Sequence, residues 1–135
     1  MKILIDTNIF LDVILKRQPH YKYSSQVWSL ISDKKINGYI SAISINNLYY
    51  ISRKIIEIEL VEELVDQILD EFEVVSLTKE ILRQARTIKN KDYEDSIQYF
   101  SAINCYCDFI ITRNKNDFPD GGIKIISPAE FLSIL

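Results

Sequence analysis

Polar side chains able to bind metal ions and phosphate groups follow the short apolar runs of this chain. Asp6 and Asn8 come directly after the run Lys2–Ile5, although apolar residues resume at Ile9. Other polar side chains lie after or just ahead of later apolar runs: Asn47, Asp92, Glu94, Asp95, Thr112, Arg113, Asn114 and Asp117. If the runs are strands of one parallel sheet, these groups meet at one edge of it, where ligands bind.

The carboxylates of this set indicate the kind of chemistry. Carboxylates gathered at one edge repel one another, and they all stay ionised only when a cation lies among them. The set offers carboxylate, amide and hydroxyl oxygens but no His or Cys. Oxygen ligands of this kind favour Mg²⁺ or Mn²⁺. Such an ion polarises a phosphate and activates a water molecule for in-line attack, so the residue types indicate metal-dependent phosphate chemistry.

Alternating strands and helices must position these residues. Strands are predicted at Lys2–Ile5, Gly38–Ala42, Glu73–Leu77, Asp108–Thr112 and Ile123–Ile126. Helices are predicted over Thr7–Leu15, Tyr21–Ser32, a segment capped by Ser44 that runs through Lys54, Glu57–Phe72, a segment capped by Thr78, Tyr93–Tyr106 and Pro128–Leu135. This order predicts an α/β fold of three α/β/α layers, with a central, mostly parallel sheet of about five strands.

Length and composition are typical of an ordinary soluble globular protein. The 135 residues suit a single domain over 1–135, with 47% hydrophobic and 26% charged residues. No apolar run approaches the ~20 residues of a membrane span, and Asp6 and Asp12 interrupt what would be the apolar part of a signal peptide. We therefore expect a cytoplasmic protein without membrane contact. The formal net charge of −3 disfavours a nucleic-acid partner without excluding one.

The two cysteines, Cys105 and Cys107, do not predict a disulfide or a metal site. They lie two positions apart, and residues at that spacing on a helix point to different faces. No pair of His or Cys residues is available to complete a zinc site. We expect both to be small, buried, reduced thiols.

Three motifs together resemble those of the PIN-domain (PilT N-terminal) family, which includes the VapC-type toxins of toxin–antitoxin pairs. They are LIDTNIFLD, KDYEDSIQYFSA and FIITRNKNDF, in this order over Met1 to about Leu132. The resemblance implies a compact α/β fold with a central parallel sheet. It also implies an Mg²⁺- or Mn²⁺-dependent endoribonuclease that leaves a 3′-hydroxyl and a 5′-phosphate. The partners it implies are RNA, a cognate antitoxin protein and a second copy of the chain in a homodimer.

The resemblance assigns roles to individual residues. The acids that match the family's catalytic metal ligands are Asp6, Asp95 and Asp117, with Glu94 as a further ligand. Two positions that are usually acidic hold amides here, Asn47 and Asn114, and the resemblance is to a subgroup that shares them. An amide oxygen can ligate a metal, but it brings no charge and cannot serve as a base. Substrate-binding roles are implied for Asn8, Asn47, Thr112, Arg113 and Asn114.

Other interpretations of the same residues stay open. Asp6, Asp92 and Asp95 also suit helix caps or the positive end of a helix dipole. If the two amides weaken the metal site, the chain is a non-catalytic or weakly catalytic module that binds RNA, a nucleotide or a protein partner. A phosphoryl-transfer fold with an aspartyl nucleophile is disfavoured, because Asn8 stands where a haloacid-dehalogenase-like enzyme carries its second acid.

A group of basic residues precedes Asp92. Arg83, Arg86 and Lys89 follow at three-residue steps, and Lys91 comes next. On a helix these steps form a stripe, which either holds an RNA backbone or is only a solvated face.

Overall fold

The computed structural model describes residues 1–135 and contains five strands and seven helices. The strands are β1 (Lys2–Ile5), β2 (Asn37–Ser41), β3 (Glu73–Val75), β4 (Phe109–Ile111) and β5 (Lys124–Ile126). The helices are α1 (Thr7–Ile14), α2 (Tyr21–Ser32), α3 (Ala42–Ser52), α4 (Ile58–Glu71), α5 (Lys79–Arg86), α6 (Tyr93–Asn104) and α7 (Pro128–Ser133). A single 3₁₀ turn, Lys115–Asp117, lies between β4 and β5. No helix is both long enough and apolar enough to cross a membrane.

The strands form one sheet in the order β3-β2-β1-β4-β5, and every pairing in it is parallel. The chain moves outward from β1 to β2 and β3, then returns to place β4 on the other side of β1. The strand order therefore reverses between β1 and β4, where Ile5 is paired with Ile111. In a parallel sheet, ligands bind at the carboxyl ends of the strands beside such a reversal.

The sheet separates two apolar cores and so creates the three α/β/α layers that the sequence predicts. Alternation along β1 sends Ile3 and Ile5 into one core and Leu4 into the other. The first core contains side chains from α1, α2, α3, α4 and α7, and the second is built on α5 and α6. Three rings of the first core meet edge to face, with centroids 5.0 to 5.7 Å apart: Phe10, Trp28 and Phe72. Edge-to-face contact is a favoured arrangement for aromatic pairs.

A glycine allows β2 to pass close beneath α2. A Cβ atom on Gly38 would lie 2.7 Å from Cδ1 of Ile31 and 2.8 Å from a ring carbon of Phe72. Carbon atoms in van der Waals contact are about 3.5–4.0 Å apart, so only Gly fits at this point of the strand.

Several predicted boundaries are wrong by a few residues. Strand β2 begins at Asn37 and ends at Ser41, and β3 ends at Val75, two residues earlier than predicted. Ser44 does not cap α3, because the helix begins at Ala42 with Ser41 in the cap position. The hydroxyl of Ser44 is instead buried against Thr7 of α1 and Gln98 of α6.

The cysteines are free, as predicted, but they do not lie within a helix. Helix α6 ends at Asn104, so Cys105 and Cys107 belong to the turn that leads into β4. Cys107 is buried and Cys105 is half-buried. Burial raises the pKa of both thiols, that of Cys107 to about 12, so neither is a reactive thiolate near neutral pH.

Candidate active site

Asp6 lies where the strand order reverses. Its backbone N–H donates to the carbonyl oxygen of Ile111 on the neighbouring strand (3.0 Å), which ties it to the end of β4. Its side chain does not cap α1; Oδ2 accepts from the Thr112 hydroxyl (2.8 Å) and Oδ1 from Nε2 of Gln98 (3.0 Å). Asp6 is only 3% exposed. Asp6 still occupies the N-cap position of α1, and both of its carboxylate oxygens are fixed by neighbouring elements.

Burial sets the electrostatics of Asp6. Removal of the side chain from water raises the pKa of Asp6 above its ordinary value, because a low-dielectric surrounding disfavours the charge. The hydrogen bonds from Thr112 and Gln98 act in the opposite direction and favour the ionised form. A nearby cation would also favour the ionised form and so offset the cost of burying its charge.

Gln98 holds the site together from α6, and the sequence interpretation did not include it. Besides its bond to Asp6, its Oε1 accepts from the backbone N–H of Thr7 (3.2 Å) and from the Ser44 hydroxyl (3.3 Å). Thr7 Oγ1 lies 2.7 Å from Ser44 Oγ and 3.0 Å from Glu94 Oε1. These hydrogen bonds connect the end of β1 with the helices α1, α3 and α6. A signal for Gln98 was present, because it follows Glu94 by four residues and so shares its helix face.

The negative charges of the other acids of the site act on Asp95. Its half-buried side chain has a pKa raised from 3.8 to about 7. Burial is the largest cause, followed by the negative charges of four other acids: Asp6, Asp92, Glu94 and Asp117. The predicted acids therefore come near enough to repel one another, although they stem from three separate parts of the chain.

The acids play unequal roles in a polar cleft of about 340 Å³. Asp92 is the cap of α6, since its side chain accepts from the backbone N–H of Asp95 (3.2 Å). The cleft is lined by Asn90, Lys91, Asp92, Asp95, Asn116 and Asp117. Asp6 and Glu94 lie outside this lining. Of the four predicted metal ligands, Asp95 and Asp117 are thus the two that face the cleft.

The chemistry of these donors fits a hard divalent cation. All of the charged donors are carboxylates. Their negative charges contribute to the raised pKa of Asp95, and a cation would offset this repulsion. As the side chains stand, no three His, Cys, Asp or Glu groups are close enough to hold a metal ion. Direct coordination by three or more of these carboxylates would therefore require them to draw closer together than they lie here.

A family model described as PIN domain matches residues 2–116. This chain belongs to the PIN domain family. Among curated proteins, it is similar to ribonuclease VapC1 of Aquifex aeolicus, with 26% identity over 136 residues, 96% of this chain and 92% of that protein. The family resemblance read from the three motifs is thereby confirmed.

Solved structures share the PIN fold with this chain. A toxin–antitoxin complex from Klebsiella pneumoniae matches with a TM-score of 0.70 and 21% identity, over 93% of this chain and 97% of that chain. VapC20 of Mycobacterium tuberculosis, a toxin that cleaves the sarcin–ricin loop, matches with a TM-score of 0.67 and 10% identity over 80% of this chain and 86% of that chain. VapBC2 of Rickettsia felis, bound to a DNA fragment from its promoter, matches with a TM-score of 0.64 and 20% identity, over 93% of this chain and 97% of that chain.

Two of the PIN domain residues predicted to bind substrate have structural partners. Thr112 is fully buried; its hydroxyl holds Asp6 and accepts from the backbone N–H of Asn114 (3.1 Å). Arg113 forms a bidentate ion pair with the buried Asp12, with Nε–Oδ2 at 2.8 Å and Nη2–Oδ1 at 3.1 Å. The sequence interpretation assigned no site role to Asp12, since its partner is 101 positions away.

The remaining predicted substrate residues are amides at the surface of the PIN domain. Asn114 is exposed and lines a second polar groove beside the cleft. Asn8 and Asn47 are half-buried on α1 and α3. Asn47 follows Ser44 by three residues, so it lies on the α3 face that carries the contact with Gln98.

The basic residues near the site do not form one helical stripe. Helix α5 ends at Arg86, so Lys89 and Lys91 lie in the connection to α6. Lys91 lines the acidic cleft and its Nζ donates to the carbonyl oxygen of Asn116. A cation therefore does border the carboxylates, although the predicted helical arrangement is wrong.

Proposed function

We propose that this protein is a divalent-metal-dependent endoribonuclease that acts as the toxin of a toxin–antitoxin pair. The observation that carries the proposal is the convergence of carboxylates on Asp95, beside the reversal of strand order. Membership of the PIN domain family supports it, and so does the similarity to a protein named ribonuclease VapC1. Toxin–antitoxin complexes of the same fold support the toxin role and a protein antitoxin as partner.

In this proposal Mg²⁺ or Mn²⁺ is held by Asp95 and Asp117, which face the cleft, with Asp6 and Glu94 as further ligands. When bound, the ion supplies Lewis-acid polarisation of a phosphate and lowers the pKa of a water molecule. Gln98 and Thr112 keep the Asp6 carboxylate in a fixed orientation, as the hydrogen-bond partners of metal ligands commonly do.

Lys91 gives the cleft a positive group at its border, where it attracts the phosphate backbone of RNA. Arg83 and Arg86 add two exposed cations on the last turns of α5, which precede the connection to α6. Local cations of this kind allow an acidic protein to bind RNA, because the attraction depends on the nearby field more than on the net charge.

RNA cleavage tests the proposal directly. The full chain is incubated with structured and unstructured RNA in Mg²⁺, in Mn²⁺ or in chelator. We expect cleavage only when metal is present, with 5′-phosphate ends. Asp6→Asn should lower cleavage at least about tenfold, because even the loss of a group that only orients a metal ligand costs about 10- to 100-fold. Asp66→Asn, an exposed acid on α4, is the matched control and should cleave normally. Cleavage that persists in chelator, or that Asp6→Asn leaves unchanged, contradicts the mechanism.

The toxin role has a separate test in cells. Expression of the chain alone should stop bacterial growth, and expression of Asp6→Asn should not. Growth should return when a cognate antitoxin, sought among the products of small neighbouring genes, is expressed with it. Size-exclusion chromatography of the purified chain then reports whether it forms the homodimer expected from the family.

A second candidate function is favoured by the two amides and by the spread of the acids. Asn47 and Asn114 supply no charge, and no three acidic groups stand ready to hold an ion. A non-catalytic module that binds RNA or a protein partner would have these features. Calorimetric titration with Mn²⁺ separates the two candidates, because the module shows no binding at millimolar metal. The double variant Asn47→Glu, Asn114→Asp should bind Mn²⁺ more tightly than the natural chain in either case.

A further inference from the structure

A second cavity, of about 310 Å³, opens where the beginning of α2 meets the beginning of α7. Its wall includes Pro19, His20, Tyr23, Arg113, Pro128 and Ala129. We propose that this cavity receives one nucleobase of the RNA whose backbone lies in the acidic cleft. The inference rests on the proposed ribonuclease function and adds a sequence-reading subsite to it.

The cavity is connected to the acidic cleft by a polar groove of about 450 Å³. The groove shares Asn116 and Asp117 with the cleft. At its other end it shares Arg113 and Ser127 with the cavity. A single strand bound at the carboxylates can therefore follow the groove and reach the cavity without leaving the protein surface.

The charge balance of the cavity favours a neutral base over a phosphate. Arg113 is the cationic group in its wall, and its charge is already compensated by the ion pair with the buried Asp12. Two of its five N–H groups bond to Asp12 and one faces Nε2 of His20 (3.3 Å). The remaining two N–H groups of Arg113, whose side chain is 23% exposed, can donate to a base edge.

The other walls suit the flat face of a base. Tyr23 is 43% exposed and borders the cavity from α2, so its ring is accessible to a ligand. Pro19, Pro128 and Ala129 supply apolar surface around it. Single-stranded RNA is recognised chiefly by unstacked bases that lie on aromatic side chains and form hydrogen bonds along their edges. The volume lies at the small end of the ~300–1,000 Å³ range of ligand pockets, as one base requires.

Filling the cavity tests this subsite. Ala129 is exposed on α7, so Ala129→Trp blocks the cavity without disturbing the core, and Ala129→Ser is the matched control. The binding assay uses the Asp6→Asn chain in chelator, where the proposed mechanism allows no cleavage. The ligands are a fluorescein-labelled octaribonucleotide and eight versions of it that each lack one base. Ala129→Trp should weaken binding of the intact strand by about 5- to 100-fold, as expected for loss of one stacked base.

One of the base-lacking strands should bind the chain that keeps Ala129 as weakly as the intact strand binds Ala129→Trp. The same base-lacking strand should bind Ala129→Trp no more weakly than that. Tyr23→Ala should mimic the block, and Tyr23→Phe should keep full binding because it keeps the ring. In the active chain, Ala129→Trp should remove sequence preference at one position of a randomised RNA pool.

Two results overturn the subsite alone. One is equal binding of the intact strand by the Trp and Ser variants. The other is a loss in Ala129→Trp that is the same for the intact strand and all eight base-lacking strands, because that result means contact with the backbone and not with a base. A natural chain that neither binds nor cleaves RNA overturns the proposed function and the subsite together.

Discussion

Replacing Thr112 with Val tests whether the fold holds the Asp6 carboxylate as the structure indicates. The change removes one hydroxyl and keeps the shape of the side chain, which is fully buried. Two hydrogen bonds are lost. One is donated to Oδ2 of Asp6 at 2.8 Å, and the other is accepted from the backbone N–H of Asn114 at 3.1 Å.

The first of these bonds accounts for nearly all of the expected effect. Asn114 is exposed, so water replaces the lost acceptor at little cost. Asp6 is 3% exposed, and a hydrogen bond to a buried charged group contributes roughly 1.5–3 kcal/mol. We therefore expect Thr112→Val to lower the free energy of unfolding by about 1.5–3 kcal/mol. At about 4 °C per kcal/mol for a chain of this size, the melting temperature should fall by roughly 6–12 °C.

Urea unfolding at pH 7.5, followed by the fluorescence of the single Trp, measures the loss. Thr87→Val is the control, because Thr87 is exposed and its hydroxyl bonds only to the carbonyl oxygen of Gln84. In an Asp6→Asn background the cost of Thr112→Val should shrink to about 1 kcal/mol, the value of a neutral hydrogen bond. A cost below about 0.5 kcal/mol, or the same cost in both backgrounds, would refute the reasoning.

Two further predictions follow from the charges of the structure. Because the pKa of Asp95 rises from 3.8 to about 7 on folding, this carboxyl makes the fold lose stability as the pH rises through that interval. Asp95→Asn should therefore melt higher than the natural chain in chelator at pH 8 but not at pH 4, and Mg²⁺ or Mn²⁺ should narrow the gap at pH 8 by stabilising the natural chain. A gap that does not change with pH would contradict this. Asp12→Asn should cost roughly 3 kcal/mol, the low end for a broken buried ion pair, because it leaves the partly exposed Arg113 uncompensated. Chemical unfolding measures this cost, and a loss below 1 kcal/mol would show that water already compensates the guanidinium.

Most of the fold could be predicted from local patterns. The apolar periodicity that predicts a helix over Glu57–Phe72 is found in α4, Ile58–Glu71, because a stripe of apolar residues at helical spacing has few alternatives. Thr78 caps α5 as expected, with its hydroxyl accepting from the backbone N–H of Ile81 (3.1 Å). The end of β2 was missed because Ser41 and Ser44 carry the same local signal for a helix cap. Only the contacts of Ser44 with Thr7 and Gln98 distinguish the two residues.

The candidate site also contains residues that the sequence could predict and a contact that it could not. Asp6, Asp95 and Asp117 could be found because their types and spacing match a family pattern, and Thr112 could be found because it follows a strand. Their assignment as metal ligands remains a prediction. The pairing of Arg113 with Asp12 had no local signal, since it joins the first helix to the end of β4.

By itself, the amino-acid sequence determined the alternation of strands and helices, the parallel sheet and the polar residues at its carboxyl edge. These follow from periodicities of two and 3.6 residues, which act within a few positions of each residue. Only the tertiary structure decided which of those polar residues touch. Asp6 and Thr112 lie 106 positions apart, and their bond exists because β1 and β4 are neighbours in the sheet. The bond between Gln98 and Asp6, 92 positions apart, also depends on the tertiary structure, because it exists only where α6 crosses the sheet beside Asp6.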